Sequence, residues 1–265
     1  MARKISLNSA YGAIGNQYFR YYDKAIAEGI TKSGQLSIRW IENKLNKYLN
    51  NVLKTDDDYV IASDTDSVYL TLDKLVTETI KSDNALSKTI NFLDKVASES
   101  IEPYITKSYD ELKQYTNAFA NKMFMKREVI ADKGIWTAKK RYILNCWDIE
   151  GVRYKEPKLK MMGIEAVKSS TPAPCRDKIK EAMNILMTGD EKMLNTFIQE
   201  FRQEFMKLSP EEIAFPRSCN GVRKWTGEAE LFRKRAPIHV KGAILYNYLI
   251  KKHKLDNKYP YIQEG

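Results

Sequence analysis

Two aspartates one residue apart, Asp64 and Asp66, interrupt Val60-Ile-Ala-Ser-Asp-Thr-Asp-Ser-Val-Tyr-Leu70, a run otherwise rich in β-branched and aromatic residues. A strand sends alternate side chains to one face, so where extended geometry persists the two carboxylates point the same way with like charges close together. That arrangement wants a cation. Magnesium takes a few carboxylate oxygens and completes its octahedron with water and substrate phosphates, which makes such a pair at a hairpin tip a half-site for a triphosphate. Asp-Thr-Asp is also ordinary turn chemistry, and the flanking Ser63 and Ser67 add hydrogen bonds without separating the two readings.

A second group lies near the start of the chain. In Lys4-Ile-Ser-Leu-Asn-Ser-Ala-Tyr-Gly12, a helix puts Lys4, Asn8, Tyr11 and Gly15 on one face with Gly12 beside them. A cation, an amide and a phenol in line suit a phosphorylated, planar ligand: ammonium on phosphate, ring against base or sugar, glycine for close approach. A solvated helix end is the plainer reading. The third group is Lys139-Lys-Arg-Tyr142. Read as mid-strand, it places Lys140 and Tyr142 on one face and Lys139 and Arg141 on the other. A cation beside an aromatic ring is the combination that tracks a nucleic-acid backbone, although a charged run is more often just a solvated surface.

The elements that must carry these groups follow from periodicity. Helical spacing runs from Lys4 to about Gln17, and again from about Ile30 to Leu53, where Ile41, Leu45, Tyr48 and Val52 make a buried stripe. Tyr59 to Ser63 and Ser67 to Leu72 read as hairpin strands around Asp64-Thr65-Asp66. A third helical stretch covers about Ala85 to Phe119, with Ile90, Leu93 and Val96 on one face and a kink or restart at Pro103. Three strand-like runs, near 123–131, 135–147 and 152–162, are punctuated by Asp132-Lys-Gly134 and Glu150-Gly151 and form a meander. Composition changes at Lys168-Ser-Ser-Thr-Pro172, where a domain boundary is expected. Amphipathic helices follow at about 174–188 and 190–207, and beyond Ser209-Pro210 the signal weakens into basic loops such as Arg233-Lys-Arg235.

The totals fit this organisation. A chain of 265 residues with 43% hydrophobic content buries a sizeable core in one large or two smaller domains. Lys and Arg exceed Asp and Glu by ten, and residues 151–265, with 22 basic and 14 acidic side chains, supply eight of that excess. Such a balance points to a polyanion, nucleic acid before membrane, unless it is simply a solvated basic surface. Three scattered cysteines lack the short spacings of a zinc site or disulfide framework, and two histidines leave little material for imidazole chemistry. No stretch approaches 18 apolar residues and no signal-peptide pattern opens the chain, so a soluble intracellular protein is expected.

The three groups, in this order, resemble the C-terminal half of family B DNA polymerases, and in detail the replicative polymerases of T-even-like bacteriophages. The family's Lys-x-x-x-Asn-Ser-x-Tyr-Gly helix motif is met by Lys4, Asn8, Ser9, Tyr11 and Gly12. Its Tyr-Gly-Asp-Thr-Asp-Ser motif is met by Asp64, Thr65, Asp66 and Ser67, with Ala62 and Ser63 in place of Tyr-Gly. Its Lys-Lys-Arg-Tyr is met by residues 139–142. Further agreement runs through Trp40-Ile-Glu-Asn-Lys-Leu-Asn46, Met123-Phe-Met125, Trp147-Asp-Ile-Glu-Gly151, Glu156-Pro-Lys-Leu-Lys160 and Lys168-Ser-Ser-Thr-Pro172, strong over residues 3–175 and loose beyond.

The resemblance implies an α+β fold, in which hairpin and meander form an antiparallel sheet covered by helices. Residues 1–16 would be the C-terminal end of the fingers, 17–169 the palm and 170–265 a mostly helical partial thumb. It further implies DNA-directed DNA synthesis by two-metal phosphoryl transfer with Mg2+. Asp66 would be a principal metal ligand, Asp64 its weaker companion and Glu128 an accessory carboxylate. Lys4 would contact the incoming triphosphate and protonate the leaving group, and Asn8, Tyr11 and Gly12 would line the nascent base-pair pocket. Lys139, Lys140, Arg141 and Tyr142 would meet DNA, with Lys140 and Tyr142 holding the primer end. The implied partners are primer–template DNA, dNTP and, for a split enzyme, an N-terminal polymerase fragment; attachment of a sliding clamp is left open. The implied place is the cytoplasm of an infected bacterial host.

The family's further metal aspartate, in Asp-x-x-Ser-Leu-Tyr-Pro, has no counterpart in this sequence. Alone, the chain is therefore expected to lack a complete two-metal site and to be inactive. Three readings stay open: a polymerase subunit completed by a second polypeptide, with Met1 three residues before Lys4 as a break inside the fingers; a truncated reading frame; and a non-catalytic DNA-binding module. A reverse-transcriptase-like enzyme shares paired aspartates but not the other two motifs.

Overall fold

A helix of 30 residues, Lys24–Leu53, is the longest element of the chain and its organiser. The computed structural model describes residues 2–80, 86–227 and 230–264, leaving aside the side chains of residues 2–4 and 8. It divides into two compact units, Met1–Met161 and Met162–Gly265.

In the first unit, helix α1 (Ala2–Ile14) leads through a short loop to α2 (Lys24–Leu53). Asp23 caps α2, its carboxylate accepting the Ile26 amide at 3.0 Å, and Lys54 closes the far end in the left-handed region at φ 53°. The buried stripe of α2 is Ser37, Ile41, Leu45 and Leu49, not the expected Ile41, Leu45, Tyr48 and Val52. Val52 is half exposed, and Tyr48 stacks at the rim on Tyr104 at 4.3 Å. The reason is the partner. Helix α5 (Glu102–Tyr115) presents Tyr109 and Ile105, in line with Ile101 just before it, at every fourth residue, so α2 answers with its own fourth-residue ridge. Burying Ile41 and Leu45 completely contributes about 1.5–3 kcal/mol each.

Strands β1 (Val60–Asp64) and β2 (Ser67–Leu70) form an antiparallel hairpin, with Val60 inserted into this core. Helices α3 (Asp73–Thr79) and α4 (Leu86–Val96) follow, and a π turn at Ala97–Ile101 joins α4 to α5, which starts anew with Pro103 in its first turn, at the expected restart. Strands β3 (Val129–Ala138), β4 (Arg141–Ile149) and β5 (Val152–Met162) lie in that order in a second sheet.

Three expectations about the strands change. Asp132-Lys-Gly134 is not a turn: the residues stay within β3, where register shifts around Ala131 absorb them. A side chain at Gly134 would meet the Trp136 ring at 2.7 Å, so glycine serves close packing rather than chain reversal. The turn falls instead at Lys139-Lys140, with Lys140 at φ 60°. The Lys139–Tyr142 run therefore straddles a hairpin tip and does not lie mid-strand. Glu150-Gly151 does turn, both residues at positive φ as a two-residue hairpin needs. Nor do hairpin and meander make one sheet; they are separate sheets in contact through aromatic side chains. The fold is α+β.

In the second unit, α6 (Ala173–Thr188) and α7 (Glu191–Phe205) form the two expected helices, with Asp190 capping α7 through the Met193 amide at 2.7 Å. Short helices α8 (Pro210–Ile213) and α9 (Val222–Trp225) come next. Arg233-Lys-Arg235 lies in a loop as expected, but the stretch beyond it forms helix α10 (Ile238–Lys252), burying Val240, Ala243 and Ile244 beside Cys219. Ile238, Val240 and the interior Gly242 are poor helix formers, so this helix rests on tertiary burial rather than propensity.

Candidate active site

The tip between β1 and β2 is a tight one. Asp64 pairs with Ser67 across the hairpin, and the Asp66 amide donates to the Asp64 carbonyl at 2.6 Å, closing a three-residue γ-turn on Thr65. Thr65 adopts φ 55°, a region that a β-branched residue enters only under constraint. Its hydroxyl donates to Asp64 Oδ1 at 2.9 Å, and the Ser67 hydroxyl donates to the Asp64 carbonyl at 3.1 Å. The first bond orients the Asp64 carboxylate and the second braces the backbone of the tip. Ser63, standing where the family motif has glycine, lies in the strand opposite Val68 and is not among the residues with positive φ. The left-handed position of this tip is Thr65, so serine at 63 is unstrained.

Asp64 is partly buried and Asp66 is exposed. Asp66 lines a cleft of about 630 Å3 whose walls include β2, α3, the π turn and β3. Behind it, burial first and then the Asp66 charge push the Tyr109 phenol above its ordinary pKa. Two hard carboxylates with room around one of them suit magnesium, which keeps waters and substrate oxygens in its shell. Among the described residues no cluster of three or more acidic, histidine or cysteine side chains is poised to hold a metal, so these two would be a partial set.

The second sheet brings its first hairpin to the same place. Lys140, at the tip between β3 and β4, extends its ammonium to 3.8 Å from Asp64 Oδ1. Lys139 beside it is exposed. Arg141 begins β4 opposite Ala138. Tyr142 turns inward: it is buried, in an aromatic cluster with Tyr69 of β2 and Trp136 of β3 at ring separations of 5.4 and 6.4 Å. Burial, then the hydrogen bond with Tyr69, hold its phenol far above the usual range. Tyr142 thus clamps the two sheets together, and Lys140 is the cation that reaches the acidic tip.

Glu128 lies on the cleft wall just before β3, ion-paired with Lys160 of β5. Its neighbour Arg127 anchors a quartet of charges. Arg127 binds the fully buried Asp148 at 2.5 Å and Asp94 of α4 at 2.8 Å, and Arg153 meets the same two carboxylates at 2.5 and 2.8 Å. The quartet ties α4 to the second sheet and so fixes the wall that carries Glu128.

Tyr11 and Gly12 lie on α1, which packs on α2: the Tyr11 hydroxyl is 2.7 Å from Thr31 Oγ1. A Cβ added at Gly12 would meet nothing within 4 Å, an open surface suited to a ligand's approach. The side chains of Lys4 and Asn8 lie outside the described residues. The structure therefore gathers Asp64, Asp66, Lys140, Tyr142 and Glu128 around one hairpin and one cleft, and leaves Tyr11 and Gly12 on a separate helix pair. Thr31, Tyr69 and Trp136 carry no sequence signal of their own, because each matters through a contact made far along the chain; Asp148 lies in a stretch that resembles the family, but its role in the charge quartet rests on contacts the sequence does not show.

Comparison with known proteins places these features in a family. Residues 1–220 match the model of DNA polymerase family B. The chain is 42% identical over 259 residues to the DNA-directed DNA polymerase of Escherichia phage RB69, covering 94% of this chain and 29% of that protein. It is 37% identical over 257 residues to the DNA-directed DNA polymerase of Enterobacteria phage T4, covering 92% and 28%. The chain thus spans under a third of the length of these relatives.

Proposed function

The chain belongs to DNA polymerase family B, and on that premise we propose that it is the palm-and-thumb portion of a DNA-directed DNA polymerase. It would add dNTPs to a primer 3′ end in concert with a polymerase segment that carries the third metal aspartate. The observation that carries the reading is the acidic tip: Asp64 and Asp66 are held on a constrained γ-turn, with Lys140 of the family's basic motif drawn to within ion-pair distance.

In this reading Asp66, open to the cleft, is the main ligand for Mg2+, and Asp64, oriented by Thr65, is its companion. Metal bound there supplies Lewis acidity for in-line phosphoryl transfer, activating the primer hydroxyl and neutralising the leaving pyrophosphate. The chain's own residues position the substrates. By the family resemblance Lys4 would contact the triphosphate and Asn8, Tyr11 and Gly12 would line the nascent base-pair pocket, with Thr31 holding the Tyr11 hydroxyl. Lys139, Lys140 and Arg141 engage the DNA backbone, and Tyr142 supports them from behind. Glu128 would be an accessory carboxylate, its charge balanced by the ion pair with Lys160. The second unit follows the duplex; eleven basic against three acidic residues between 213 and 258 favour a phosphate backbone.

Primer extension tests this directly. The chain is purified alone and mixed with the part of the RB69 polymerase that precedes the matched stretch. Templated extension that appears on mixing and collapses with Asp66→Asn supports the proposal. Duplex binding without extension in a folded complex would instead favour a truncated, non-catalytic DNA-binding fragment.

A further inference from the structure

Helix α2 keeps a single face from end to end, through Ile26, Ile30, Gly34, Ser37, Ile41, Leu45 and Leu49 at three- and four-residue steps. The last four of these are buried in the core of the first unit. The first three are not: Ile26 and Ile30 are 53% and 48% exposed, and a Cβ at Gly34 would meet nothing within 4 Å. No described side chain from residue 5 to residue 36 is buried. Charges do not account for the exposure, because Glu28 and Lys32 pair with each other at 2.8 Å on the opposite side of the helix. The loop before α2 adds Tyr18 at 88% and Tyr21 at 67% exposure. An apolar stripe that continues a core face and then stands in solvent marks an interface, and a glycine in the stripe admits a close-packed partner.

We propose that this arm, α1 with the first half of α2, is the docking surface for the remainder of the polymerase polypeptide, which covers the Ile26–Ile30–Gly34 stripe with an apolar element of its own. The inference rests on the polymerase reading. The occupant follows from the relatives, in which about seven tenths of the length lies outside the stretch shared with this chain. The face that is core at Ile41 and Leu45 is a core face at Ile26 and Ile30 too, and that outside part is the polypeptide available to complete it. Docking there also fixes the helix of the nucleotide motif, since α1 is tied to α2 through Tyr11 and Thr31.

The test uses the full chain and the RB69 polymerase fragment described above, with binding measured by sedimentation and extension measured separately. Ile26→Asp with Ile30→Asp should weaken the complex at least tenfold while leaving the far-ultraviolet circular dichroism and melting of the chain alone unchanged, because both positions are exposed. Asp66→Asn should leave binding at the wild-type value and abolish extension, so that loss of docking and loss of the catalytic reading register in different assays. The proposal is overturned if the complex forms equally well with the double variant, or if wild-type chain forms none. It is also overturned if the chain alone is a dimer that the double variant dissociates, which would make a second copy the occupant.

Discussion

Lys140 Nζ stands 3.8 Å from Asp64 Oδ1, across two hairpin tips that belong to different sheets. The ammonium offsets part of the Asp64 charge that, on the proposed function, a metal ion would neutralise. At this distance and exposure the attraction is about 1 kcal/mol, so Lys140→Ala should tighten Mn2+ binding at the tip by no more than about fivefold. Titration calorimetry on the assembled enzyme reads this; weaker binding in the variant would show that the ammonium does not compete with metal.

Thr65 invites a different substitution. Thr65→Gly relieves the positive φ but deletes the hydroxyl that orients Asp64. Relief of strain and the greater entropy of glycine in the unfolded chain are each about 1 kcal/mol and opposed. The melting temperature should hence move by only a few degrees while extension by the reconstituted enzyme slows by up to about a hundredfold, the scale at which a misplacement of a catalytic group by about 1 Å is felt. A large loss of stability with unchanged rate would contradict this division.

Removal of the buried carboxylate at the centre of the charge quartet should be costly. Asp148→Ala leaves Arg127 and Arg153 with only the partly exposed Asp94 to share, and breaking such a buried pair costs about 3–5 kcal/mol. Urea unfolding measures it. Lys95→Ala, which touches only a neighbouring exposed pair with Glu99, should change stability by less than about 1 kcal/mol.

Alkaline pH should act through Tyr142. Its folded pKa lies above the unfolded value of about 10, so the associated stability is fully present below pH 10 and declines as pH rises toward the folded value. The neutral phenol is the form the fold prefers. Thermal melts from pH 8 upward should show stability falling above pH 10, and Tyr142→Phe should flatten that fall. An unchanged alkaline slope in the variant would assign the effect to other groups, such as Tyr109, whose pKa is raised in the same direction.

Local chemistry made much of this protein legible before any coordinates. The Asp64-Thr65-Asp66 tip, the Glu150-Gly151 turn, the break at Pro103 and the α6–α7 helix pair all rest on residues within a few positions of one another, where backbone preference and capping dominate. The spacing of Asp64 and Asp66 was legible for the same reason, whereas the Lys139–Tyr142 run was read as mid-strand and straddles a hairpin tip. Asp132-Lys-Gly134 misled because glycine signals a turn and a close approach alike, and only the Trp136 ring lying over Gly134 separates them. Helix α10 escaped because its propensity is poor and its burial is supplied by residues twenty positions away. The sequence by itself determined most of the longer elements, the acidic tip, the basic C-terminal half and the family. Tertiary structure decided that Leu49, not Val52, faces the core, that Tyr142 points inward, that Lys140 meets Asp64 and that Ile26 and Ile30 remain uncovered. Each of these depends on which surface a distant segment presents, and neither periodicity nor spacing carries that information.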